Sequence, residues 1–209
     1  MQGATLVKDI VITTTLALCG IGLIAVFFAA MERYQVLVAG TETDSVEVTV
    51  TVSGVISISS PADVSLSPDI PGTGSADGSA TWKVETNNSS GWKLEVNADA
   101  SPAMTDGSGN SFADYTESTA GVPENWSVDS ADSEFGFSAS GDYAESEYSS
   151  GSNYEGFEGT SKIQVASDGS ITPGGGADTT VHFKAEAGSD KNQPQGEYSA
   201  TITATASTL

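Results

Sequence analysis

Residues 46–58 read VEVTVTVSGVISI, and the kind of fold that follows turns on this stretch. Val46, Val48, Val50 and Val52 alternate with Glu47, Thr49 and Thr51, and the same parity runs on through Gly54 to Ile56 and Ile58. A period of two in β-branched residues is the signature of a strand with one apolar face. At about 3.3 Å per residue the stretch exceeds roughly 40 Å, well beyond a usual strand of about five or six residues. Either the chain bends at Ser53 and Gly54 into two strands, or its first half leaves its own domain to pair elsewhere. Glycine inside a strand pattern favours the bend. The second reading makes Val46, Val48, Val50 and Val52 an inter-subunit strand, a way of tying a fibre together.

Downstream the alternation recurs at short intervals. Residues 80–85 (ATWKVE) and 92–97 (WKLEVN) flank TNNSSG and read as a hairpin, with Trp82, Val84, Trp92, Leu94 and Val96 in the core. Further strands are expected at 63–67, 126–128, 134–138, 162–166, 180–185 and 197–205, the last pointing Tyr198, Ala200, Ile202 and Ala204 one way. Residues 68–78 read as a loop, and longer loops are expected at about 99–125 and 139–161. In the second of these, Tyr143, Tyr148, Tyr154 and Phe157 either pack between subunits or pin the loop to its own domain. Many short strands with turn residues between them imply an antiparallel β-sandwich over 41–209.

Ahead of it, residues 10–30 (IVITTTLALCGIGLIAVFFAA) hold no charge and as a helix would span roughly 30 Å, a bilayer's hydrocarbon core. The run is too long for the apolar core of a cleaved signal, its basic start is cancelled by Asp9, and no small-x-small site follows. The expected fold is therefore mainly β, with a long hydrophobic N-terminal α-helix in 1–40 followed by one antiparallel β-sandwich domain. Ala17, Gly20, Gly22, Ala25 and Ala29 are small enough to let such helices approach one another. Lys8 and Asp9 would form a charge pair between neighbouring helices, since a buried unpaired charge is costly.

The charge is one-sided. Of 7 Lys plus Arg and 28 Asp plus Glu, residues 1–40 take two of each sign, leaving the net −21 on the segment beyond Gly40. Such a surface repels nucleic acid and anionic lipid and favours solubility. The single cysteine, Cys19, lies in the apolar run, so the β domain has no disulfide to staple it. Catalysis has little to stand on. His182 is the only histidine, alternation puts it on a solvent face, and no nucleophile–base pair can be drawn. A Ca²⁺ loop is the one cofactor pattern present: Asp106, Ser108, Asn110, Asp114 and Glu117 fall at positions 1, 3, 5, 9 and 12 of DGSGNSFADYTE. Ser111 stands where such a loop carries glycine, so an irregular site is the form to expect, here or around Asp129, Asp132 and Glu134. Asn87, Asn88 and Asn125 begin N-x-Ser/Thr triplets.

Two resemblances add to this. The start Gly3-Ala4-Thr5-Leu6-Val7 resembles a type IV pilin, where a glycine precedes the processed end of an apolar helix, and FFAAMERYQ resembles the place where a pilin helix enters its head domain. The match departs at Lys8, where the pilin pattern carries an acid. It implies a homopolymeric extracellular filament, inserted in the cytoplasmic membrane before assembly, with helices in the core and acidic heads outside. Residues 46–209 resemble uncharacterised secreted β-sandwich domains of surface proteins from bacterial candidate phyla, which implies export and no active site. The expected function is a structural filament subunit. The alternative is a membrane-anchored adhesin or coat protein that does not polymerise and binds a surface or carbohydrate ligand.

Overall fold

A computed structural model describes residues 40–59 and 61–209. The chain divides into two units, Met1–Val50 and Thr51–Leu209. In the first, the described residues 40–50 are exposed and have no regular secondary structure.

The described residues of the second unit form eleven strands: β1 (Ile56–Ile58), β2 (Gly74–Thr86), β3 (Trp92–Ala98), β4 (Met104–Thr105), β5 (Ser111–Asp114), β6 (Glu124–Asn125), β7 (Ser133–Ser140), β8 (Asn153–Tyr154), β9 (Ile163–Asp168), β10 (Ala177–Ala187) and β11 (Ile202–Thr208). A six-stranded sheet runs β1-β2-β10-β7-β5-β4, a three-stranded sheet runs β11-β3-β9, and β6 and β8 form a small ribbon. The two larger sheets bury one common core. Trp82 and Val84 from β2, Phe135 and Phe137 from β7, and Val181 and Phe183 from β10 meet Trp92, Leu94 and Val96 from β3 and Val165 from β9. β10 shows why the sheet holds its register: Ala177, Thr179, Val181, Phe183, Ala185 and Ala187 are buried, while the residues between them face out.

The expected fold class needs correction. Among the described residues there is no α-helix, only a single 3₁₀ turn at Ser146–Tyr148, and no helix long and apolar enough to cross a membrane. The expected helix at 10–30, with Lys8, Asp9, Ala17, Gly20, Gly22, Ala25 and Ala29, lies outside the described residues. Nor is the architecture purely antiparallel. β5 runs parallel to β7, with Ala113 opposite Glu134 and Asp114 opposite Phe135, because the chain between them crosses back before entering β7.

The expected hairpin is also replaced. β2 and β3 do not pair: β2 lies between β1 and β10, and β3 between β11 and β9. The intervening residues 87–91 carry the chain from one sheet to the other. Gly91 makes this arch feasible, since its φ of +96° is open to glycine and a Cβ there would stand 2.1 Å from the Asp168 carbonyl oxygen. β2 begins at Gly74, inside the segment expected to be a loop, and 63–67 contributes one bridge, Ser67 to Asp77, in place of a strand.

Candidate functional site

Three strands cannot cover six. At about 4.8 Å between neighbouring strands, the small sheet is roughly half as wide as the large one, so part of the large sheet's inner face must be covered by coil or left open. Both occur. Residues 61–66 lie over the start of β2, where Val64 and Leu66 seat against Gly78: a Cβ on that glycine would stand 2.5 Å from Val64 Cγ1 and 2.8 Å from Leu66 Cδ2. Beside them a cleft of about 1570 Å³ stays open. Its floor is Ala76, Ala80 and Trp82 of β2 with Phe183 and Ala185 of β10, one wall is drawn from 58–59 and 61–72, and the other is the stretch 198–204. Tyr198, Ala200, Ile202 and Ala204, the four residues expected to share a face, all line it half-buried against the core. The volume exceeds the range of roughly 300–1,000 Å³ typical of small-molecule pockets.

The borders of the sheets differ in how they are finished. β9 is closed by the 143–145 segment, through Glu145 N–H to the Val165 carbonyl at 3.0 Å and Ser167 N–H to the Tyr143 carbonyl at 3.1 Å. β4 exchanges two bonds with Ser199, at 3.1 and 2.9 Å. β1 is three residues long; it approaches β11 and begins to close that border, but ends at Ile58. β11 pairs with β3 alone. Among the described residues, 198–208 makes no backbone hydrogen bond on the side away from β3 and β4. An unpaired edge beside exposed apolar surface is a template for another strand.

The four valines singled out in the sequence are exposed. Val46, Val48, Val50 and Val52 are 85, 86, 88 and 78% exposed and belong to no strand, so the long strand expected over 46–58 forms only at Ile56–Ile58. The chain is secured just beyond them. The Asn87 amide accepts from Val55 N–H at 2.7 Å and donates to the Ser53 carbonyl at 2.9 Å, and Thr86 Oγ1 donates to the Val55 carbonyl at 2.7 Å.

The five Ca²⁺-pattern residues do not converge. Asp106 turns back on its own loop, accepting from Ser108 N–H at 2.8 Å, Asn110 N–H at 3.0 Å and Asn110 Nδ2 at 2.6 Å. The Asn110 amide, and after it Ser108 N–H, hold this carboxyl below its ordinary range. Asp114 accepts from Ser101 Oγ and Ala103 N–H, and Glu117 accepts from Gly156 N–H. Among the described residues no three His, Cys, Asp or Glu gather as a metal set.

His182 lies on the outward side of β10, as its alternation implies, but is half-buried there, and its Nε2 lies 2.7 Å from Ser140 Oγ. Burial lowers its pKa. The pair is a diagonal contact between adjacent strands, His182 being in register with Ser138, and no carboxylate bonds the other ring nitrogen among the described residues. The loop aromatics take the second of their two expected roles. Tyr148 and Phe157 are buried against Phe137, Tyr143 meets Trp92 edge-on at 5.7 Å, and Tyr154 meets Trp126 at 5.1 Å. Trp126 stacks on Tyr115 and donates to Glu186 at 2.7 Å, capping the outer face of the large sheet.

A second group of acids is buried without metal-like geometry. Glu155 accepts from Tyr148 OH at 2.7 Å. Burial, with Glu117, Glu147 and Glu158 nearby, pushes its pKa up to about 7 against the pull of the Tyr148 bond. Glu134 is likewise raised to about 7, by burial and then by Asp132. Of the cleft floor, the sequence marks Trp82 as core but not Ala76 or Ala80. The available signal for those two was the run of small residues Ala76, Gly78 and Ala80 at a period of two, which leaves room on an inner face.

No family model matches the chain, and no curated protein matches it, so neither resemblance read from the sequence finds a counterpart there. One solved structure, from work on a chaperone–tip adhesin complex in CFA/I fimbriae biogenesis, overlaps 74% of this chain at 18% identity with a TM-score of 0.39. This chain spans 41% of that one's length, and an overlap at this level assigns neither a fold family nor a function.

Proposed function

We propose that this protein is a non-catalytic structural component of the cell surface, whose β domain is a building block joined to further copies of itself. The observation that carries the reading is an unfinished sandwich: a cleft with an apolar floor and largely polar walls beside an unpaired sheet border, in a chain that also exposes an alternating valine segment. The exposed valines leave apolar area in water, at roughly 25 cal/mol per Å², and association is the direct way to remove it. The acidic surface supports an exported, soluble module and disfavours nucleic acid as a partner. The Ser140–His182 contact serves as a cross-strand tie in this reading, since among the described residues no carboxylate orients the imidazole as a base.

The test is the polymer state. Full-length protein is followed by light scattering on a sizing column over a hundredfold concentration range, with negative-stain microscopy of the largest fraction. Concentration-dependent oligomers that grow into linear particles are expected. A monomer at every concentration would refute the reading and leave the non-polymerising adhesin or coat protein in its place.

A further inference from the structure

We infer that residues 46–52 of one copy occupy the cleft of a second copy, lying along its 198–204 stretch as an added strand of the small sheet. This deepens the reading above, on which it rests for the identity of the partner. The donor and the acceptor match in length, period and chemistry. From Val46 to Val52 the segment spans six residue steps, about 20 Å, and from Tyr198 to Ala204 the cleft wall spans the same six steps. The donor presents four valines on one face, with Glu47, Thr49 and Thr51 on the other. The acceptor offers the half-buried face of Tyr198, Ala200, Ile202 and Ala204 for the valines to extend and a border with unused backbone groups for the ladder. Main-chain bonds would supply affinity, and the alternate side chains in the cleft would supply register.

The donor is also accessible. The bonds from Asn87 and Thr86 fix Ser53 and Val55 beside the end of β2, and the four valines ahead of them are exposed. A segment of this composition left permanently in water is an aggregation hazard, because it combines high β-propensity with an apolar face. Capture by an identical neighbour removes that hazard and leaves a new donor at the next link. Contact between a donor and a different acceptor on the next copy is head-to-tail, which yields an open chain unless the rotation closes it into a ring.

The test uses the full chain in two variants. Val48→Asp with Val50→Asp disables the donor, at positions where exposure leaves the fold untouched; Ala200→Arg places bulk and charge in the acceptor cleft. Each variant alone is expected to be monomeric where the unaltered protein polymerises, and mixing the two is expected to give a one-to-one dimer that grows no further. A synthetic peptide of residues 44–54 is titrated into the donor variant, whose cleft is intact. Binding should be at least about tenfold tighter than for the same peptide carrying Val48→Asp. If the unaltered protein polymerises and both variants do so equally, the strand assignment is overturned while the structural-subunit reading stands. If the peptide fails to bind the donor variant, confirmed folded by circular dichroism, the strand assignment is overturned whatever the polymer state. A protein that never polymerises overturns the broader reading.

Discussion

Raising the pH from 5 to 8 should destabilise the β domain, and Glu155 should account for a large part of the loss. Its carboxyl is buried, accepts the Tyr148 hydroxyl and has Glu117, Glu147 and Glu158 as its acidic surroundings. In the folded chain its pKa is about 7, against an ordinary value of 4.5. The folded pKa is therefore the higher one, and between the two values the native state holds a proton that the unfolded chain has released. Stability is full below about pH 4.5 and falls as the pH rises through 7. A shift of that size corresponds to about 3 kcal/mol without screening. Water and salt around the neighbouring loop reduce it, so about 1–2 kcal/mol is the expected loss for this group. Glu134, raised to about 7 by burial and by Asp132, adds to the loss with the same sign. Urea unfolding followed by tryptophan fluorescence at pH 5, 6, 7 and 8, in 0.3 M salt to damp general repulsion, gives the slope directly. Glu155→Gln removes the titration while keeping an acceptor for Tyr148, so its curve should be flatter and should lie about 1–2 kcal/mol above the unaltered protein at pH 8. Equal slopes for the two proteins, or a stability that rises with pH, would refute the assignment of a buried proton to this group.

Three further outcomes follow from the same structure. Leu94→Ala, at a fully buried position of β3, should cost about 3 kcal/mol by the sum of lost transfer energy and residual cavity, read as a drop in the urea midpoint with unchanged slope. Asn87→Ala removes the two amide bonds that hold Val55 and Ser53, so hydrogen exchange at the Val55 and Asn87 amides should accelerate while β3 and β10 remain protected, with a cost of about 1–2 kcal/mol. Assembly should be promoted by salt: with a net charge of −21, copies repel at 0.01 M, where screening extends to about 30 Å, and associate faster as the ionic strength approaches 1 M, where it shrinks to about 3 Å. Light scattering at fixed protein concentration reads this, and salt-independent growth would count against apolar association between like-charged domains.

The parts of the fold that were legible in the sequence are those where alternation and burial coincide. Trp82, Val84, Trp92, Leu94 and Val96 are all buried as their pattern required. The errors have a common cause: periodicity reports that a face is apolar and says nothing about what covers it. Two strands with matching apolar faces look alike whether they pair within one sheet or face each other across a core, so 80–85 and 92–97 read as a hairpin although the five-residue arch puts them in different sheets. The start of β2 was lost for another reason. GSADGS has no β-branched or aromatic residue, yet it is held extended by an eleven-residue ladder with β10, from Ala177 opposite Val84 to Ala187 opposite Gly74. There the backbone partner overrides propensity. Tyr148 and Phe157 were left between two roles because they enter the core from a 3₁₀ turn and from coil, where no period marks them.

The same limit explains why half of the candidate site could be read and half could not. The valine alternation at 46–52 announces an apolar face that needs a partner edge, and that much is in the sequence. Which edge is a property of the assembled sheets. Among the four borders, β9 is closed by 143–145, β4 by Ser199, and β1 is too short to template a seven-residue segment. Only β11 and the residues leading into it combine sufficient length, unused backbone groups and an adjoining apolar floor. That floor exists because Ala76 and Ala80 stand where larger side chains would have filled the space between the sheets. Filling it from within should therefore mimic occupancy: Ala80→Leu would narrow the cleft from the floor, leave the exposed donor unchanged, and weaken capture of the 44–54 peptide without altering the far-ultraviolet spectrum. Undiminished capture by that variant would show that the valines seat elsewhere.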